Sequence, residues 1–134
     1  MGQQQFLIIV LMVVILGIAF TVGFTLFRDQ ASASNRDSIE NDLVHFASGA
    51  QAYYRRPTML GGGGRSFDGF TLSSLTSKTT NPNGTYSVVG TPQGDGPVVL
   101  RGVGLELGND GVGHVQVDIH VFPDSVVVDQ ATMN

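Results

Sequence analysis

The 134-residue chain contains no cysteine. Neither a disulfide framework nor a thiolate metal site can brace it, and it has no thiol nucleophile. Positive charge is scarce. Seven Lys and Arg stand against eleven Asp and Glu, for a net charge of -4, and no basic cluster exceeds Arg55-Arg56. The electrostatic footprint of a nucleic-acid binder is therefore missing, and no nucleic-acid partner is expected. The most consequential shortage is of charge of either sign near the N-terminus, because the first charged side chains are Arg28 and Asp29.

What fills that uncharged stretch is apolar. Seventeen of the twenty-two residues from 6 to 27 are Leu, Ile, Val, Phe or Met. At roughly 1.5 to 3 kcal/mol per fully buried side chain, the run carries on the order of 25 to 50 kcal/mol of burial. A small domain made from the remainder cannot enclose a stripe that is apolar on every side. As a helix the run would be about 33 Å long, a match to a bilayer core of roughly 30 Å. It requires lipid, or something that replaces lipid. A cleavable secretory signal is one competitor, since Ala31-Ser32-Ala33 has the small-x-small pattern of a cleavage site. Residues 1 to 5 lack Lys and Arg, however, and the apolar stretch exceeds the usual length of about 7 to 15 residues. An ordinary single-pass anchor explains the length and the abrupt end at Arg28.

No linker follows Arg28. Ile39, Leu43, Phe46, Ala47, Ala50 and Tyr54 recur at steps of three and four, the spacing of one apolar helical face, while Asp37, Glu40, Asn41 and Ser48 fall elsewhere. Pro57 and the glycines at 61 to 64 stop the helix. One helix from about residue 3 to 56 is therefore expected, roughly 80 Å long, apolar all round in its first half and amphipathic in its second. Gly17 and Gly23 each cost a helix about 1 kcal/mol relative to Ala and either mark a bend or an unwound stretch or serve as small packing residues.

Fourteen of the eighteen glycines lie between Gly61 and Gly113, so the rest of the chain should be turn-rich with short strands. Residues 57 to 77 read as a connecting loop anchored by Phe67, Phe70, Leu72 and Leu75. Strands are expected over 86–89, 98–107, 115–122 and 126–129. Val115, Val117, Ile119 and Val121 place four β-branched residues on one face, toward the amphipathic half of the helix. In the preceding strand Val103, Leu105 and Leu107 are expected to do the same. Short connections imply an antiparallel meander of about four strands. The fold class is α+β: a long N-terminal helix on a small antiparallel sheet. Its organisation is an apolar helix over 1–27 and a globular domain over 28–134, the latter made of an amphipathic helix (28–56), a glycine-rich loop (57–77) and a sheet (78–134).

Candidate chemistry is thin. Gly61 to Gly64 followed by Arg65-Ser66 looks like a phosphate loop but lacks the Lys, the preceding strand and the following helix. Asp118 and His120 would share a strand face about 7 Å apart, without a third metal ligand. Asn109-Asp110-Gly111 reads as a hairpin turn, since the spaced acids of a calcium loop are missing. Asn83-Gly84-Thr85 matches the N-glycosylation acceptor pattern at a turn expected to be exposed. No nucleophile, base and orienter can be assembled. The expectation is a non-enzyme with no catalytic residue, cofactor or metal.

The order of a long N-terminal helix, a glycine-rich connection and a small antiparallel sheet resembles the type IV pilin and pilin-like filament subunits. The opening Gly2-Gln3-Gln4-Gln5-Phe6 is similar to short pilin-like bacterial proteins that begin Gly-Gln-Gln-Gln before an apolar run. The resemblance implies a cell-surface or extracellular helical homopolymer. Phe6, Leu7, Ile8, Leu11, Val14, Ile15, Ile18, Phe20, Phe24 and Phe27 would contact lipid before assembly and the filament core afterwards. It also implies self-association, an inner-membrane assembly platform and an assembly ATPase as partners. Gln5 stands where the family carries Glu if Met1 is kept, so N-terminal packing at Gln5 would use hydrogen bonds rather than an ion pair. Two further readings are a minor pseudopilin of a secretion or DNA-uptake system, and a single-pass membrane-anchored module whose ligand meets the glycine-rich loop.

Overall fold

The computed structural model describes residues 2–129. Helix α1 runs Gly2–Arg55 and is followed by 3-10 turns at Thr58–Leu60 and Leu72–Ser74. Strands β1 (Thr80–Asn81), β2 (Gly84–Val89), β3 (Val98–Leu107), β4 (His114–Val121) and β5 (Val126–Asp129) form one antiparallel sheet in sequential order. The α+β class is as expected, with five strands in place of four. The addition is β1, whose two residues are too short to display an alternating pattern.

Two units divide the chain, one ending at Ala31 and the other beginning at Ser32. The boundary falls four residues later than the onset of charge, because Ser32 is the first buried side chain of α1. In the first unit α1 stays α-helical through Gly17 and Gly23, so no unwound stretch forms there. A cost of about 1 kcal/mol per glycine is too small to interrupt a helix bonded on both sides.

The second unit is built on the 3.6-residue stripe of α1. Ile39, Leu43, Ala47 and Ala50 are fully buried, with Phe46 and Tyr54 packed beside them. Opposite lie Val98 and Leu100 of β3 and Val115, Val117, Ile119 and Val121 of β4, all in the same core. Phe67, Phe70 and Leu72 from the glycine-rich connection complete it. Rings pair edge-on or tilted: Phe46 with Tyr86 at 5.1 Å, Tyr53 with Phe70 at 5.3 Å and Tyr54 with Phe67 at 4.9 Å between centroids.

In β3 the expected inward face is the wrong one. Leu105 and Leu107 are exposed and Val103 is half-buried, whereas Val98, Leu100, Gly102 and Gly104 face the helix. The register decides this, because Leu100 pairs with Ile119 and Gly102 with Val117, and cross-strand partners share a face. The two glycines are needed where α1 approaches closest. A Cβ on Gly102 would run into Ile39 Cγ2, and one on Gly104 would meet Asn35 Oδ1 as well as Ile39 Cδ1 at 2.8 Å. Apolar side-chain content therefore points to one parity and steric fit to the other.

Candidate functional site

Among the described residues, most of the exposed large apolar side chains lie in the first unit. No side chain from residue 2 to 30 is buried, and every large apolar residue of the run is exposed, from 46% at Val10 to 78% at Phe20. Phe6, Leu7, Ile8, Leu11, Val14, Ile15, Ile18, Phe24 and Phe27 all belong to this surface. The helix is long enough and apolar enough to cross a membrane. Its two hydroxyls are satisfied internally: Thr21 donates to the Gly17 carbonyl at 2.9 Å and Thr25 to that of Val22 at 2.8 Å. No side chain between Phe6 and Phe27 thus depends on water for a hydrogen bond, the condition that burial in lipid or in a helix bundle imposes. Gln5 lies exposed in the first turn, where no acidic residue faces the positive end of the helix dipole.

At the other end of α1 the glycine run caps the helix. Gly63 N–H donates to the Tyr53 carbonyl at 2.9 Å, Gly64 to Arg56 at 2.9 Å and Arg65 to Tyr54 at 2.8 Å, while Gly61 and Gly62 close onto Thr58 and Pro57. Each of the four glycine donors is thus engaged within the chain, and none points outward as an anion cradle would require. Glycine is enforced by crowding, since a Cβ on Gly62 would strike the Arg56 carbonyl oxygen and one on Gly63 that of Ser66. The turn leaves two apolar side chains in solvent, Met59 at 95% and Leu60 at 70% exposure.

The polar residues of the sheet are also internally matched. Arg101 and Asp118 are cross-strand partners and form a two-pronged pair, Nε to Oδ1 at 2.8 Å and Nη2 to Oδ2 at 2.7 Å. Asp118 is buried beneath that guanidinium rather than outward in solvent as a polar strand position is expected to be. The pairing holds the Arg101 pKa above its usual value. His120 lies 3.6 Å from Asp129, and His114 Nδ1 is 3.1 Å from the Leu105 carbonyl. Among the described residues no three His, Asp or Glu side chains converge on a metal position. Asp110 Oδ1 accepts from Val112 and Gly113 N–H at 2.9 and 3.0 Å, the geometry of a turn. A cleft of about 490 Å³ lies between β2 and the Leu72 turn, lined by Phe70, Leu72, Val88 and Pro92. The hydroxyls of Thr71, Ser73 and Ser87 line it too, with no histidine or carboxylate in the lining to activate them.

One polar hub was not foreseen. Asp42 on α1 accepts from Asn81 Nδ2 at 2.9 Å, Asn83 Nδ2 at 2.8 Å and the Tyr86 hydroxyl, fastening the β1–β2 turn to the helix. Burial alone would raise the Asp42 pKa, but the donors of Asn83, Tyr86 and Asn81, with His45 nearby, bring it below the ordinary value. Burial and the same carboxylate push the Tyr86 phenol upward. Asn83 is therefore half-buried, with its amide nitrogen committed to Asp42, and not at an exposed turn. A sugar attached there in the folded chain would have to displace that bond. The Asn81-Pro82-Asn83-Gly84 stretch signals a turn, but nothing local ties it to a carboxylate some forty residues earlier.

No protein-family model, curated protein or solved structure matches this chain.

Proposed function

We propose that this protein is the repeating subunit of an extracellular helical filament of the type IV pilus kind, stored in a membrane by the same helix that later forms the filament core. The observation that carries the reading is the uncharged run from 6 to 27, exposed throughout, whose only polar side chains are internally bonded, attached to a small well-packed sheet unit. Leaving the bilayer, the helix exchanges lipid for identical helices. Hydrophobic gain in that exchange is small, so close helix packing and contacts between sheet units must supply the preference for polymer over membrane.

Negative-stain microscopy of the purified full-length chain tests this. Long fibres are expected, and Val14→Arg or Ile15→Arg, which places a charge in the bundle, should abolish them. Isolated particles that persist only in detergent favour a membrane-anchored module instead. Normal fibres from either arginine variant contradict the proposed core.

A further inference from the structure

The sheet unit has two exposed apolar tips of opposite electrostatic character, at opposite ends of its helix. The first is the turn beyond α1. Met59 and Leu60 stand out of it, and Arg55, Arg56 and Arg65, three of the seven basic residues, are exposed around them. Asp95 accepts from the Tyr54 hydroxyl at 2.7 Å and Asp68 from Gly94 N–H at 3.0 Å, so the turn sets three cations against two hydrogen-bonded carboxylates. The second is the β3–β4 hairpin, where Leu105, Leu107 and Val112 are exposed beside Glu106 and Asp110. Of the charged helix residues nearest the Asn35 anchor, Arg36 and Asp37 offset one another, which leaves Glu106 and Asp110 to set the sign of the hairpin.

Their separation is fixed by the fold. The hairpin is tied to the start of the unit by Glu106 N–H to Asn35 Oδ1 at 3.4 Å, and the glycine turn to its end through the Tyr53 carbonyl. The helical rise from Asn35 to Tyr53 is about 27 Å. The tips therefore cannot meet within one copy. An apolar knob ringed by arginine and an apolar knob flanked by carboxylates match each other in both respects, and two different patches on one molecule give a head-to-tail contact that repeats without closing.

We infer that the Met59–Leu60 tip of one copy docks on the β3–β4 hairpin of the next, forming the longitudinal contact between sheet units. The inference deepens the filament reading and rests on it. The occupant of each tip is a second copy of this chain.

Cysteine crosslinking is clean here because the chain has none of its own. In the full-length double variant M59C/V112C, mild oxidation of assembled material should give a ladder of covalent oligomers. The single variants should give dimers at most, because a disulfide needs Cα atoms within about 7 Å. A parallel pair guards against a cysteine that perturbs assembly. Arg56→Glu and Glu106→Arg should each reduce polymer several-fold at low salt, and the two together should restore it, since every copy then carries the swapped pair. Fibres without a ladder, or without rescue by the double charge swap, overturn this contact while leaving the filament reading intact. Absence of fibres from the unsubstituted chain overturns both.

Discussion

Ile39 of α1 rests on Gly102 of β3 with no room for a side chain between them. Ile39 is fully buried and Gly102 pairs with Val117 of β4, so this contact joins the helix to the centre of the sheet. It also shows why the fold needs glycine inside a strand, where it is ordinarily unfavourable.

Gly102→Ala is expected to destabilise a fragment of residues 32–134 by about 1 to 3 kcal/mol through overpacking. Ile39→Ala should cost about 2 to 5 kcal/mol through the cavity it leaves. Combined, the two should cost clearly less than their sum, because the new methyl enters the space that Ile39 vacates. Urea unfolding of the four proteins measures this, and strict additivity would show that the two residues do not share a contact.

Asp42 makes the fold sensitive to acid. Its folded pKa is lowered, so its contribution is fully present above the unfolded value of about 3.9 and is lost as pH falls through the folded value. Asp42→Asn can turn its amide oxygen to the three donors, which all meet Oδ2, but it removes the charge that strengthens those bonds and should cost about 1 kcal/mol at neutral pH. The difference between the native and substituted fragments, followed by urea unfolding, should shrink steadily below pH 4. A difference that grows as pH falls would mean that the sign is wrong.

Arg36 carries Nε and Nη2 buried without hydrogen-bond partners, and Ser32 Oγ is in the same condition. Orphaned buried donors cost on the order of 1 to 3 kcal/mol. Arg36→Met keeps the packing stem and removes the donors, so it should raise the midpoint of urea unfolding of the fragment. A fall in that midpoint would indicate that the guanidinium contributes to stability despite its lack of partners.

The helical parts were legible because their signals are local. The absence of charge from 6 to 27 and the stripe from Ile39 to Tyr54 both repeat at short range, and the β4 alternation of Val115, Val117, Ile119 and Val121 does the same. What escaped depends on partners distant in sequence. The inward parity of β3 is carried by Gly102 and Gly104, which have no side chain to count. The Asp42 hub joins residues 39 to 44 positions apart. The capping role of Gly61 to Gly64 is invisible until the chain has turned back onto the carbonyls of Tyr53 and Arg56. The apolar surface itself was readable from sequence, whereas the Met59–Leu60 tip emerged only once its neighbours were placed.

On the filament proposal, the apolar half of α1 tolerates water only when other copies surround it. Sedimentation velocity of the full-length chain after detergent removal, beside the 32–134 fragment, tests it most directly. The full-length chain should sediment as large polymer while the fragment stays monomeric and folded. A full-length chain that sediments as a single dispersed monomer in detergent-free buffer would contradict the proposal.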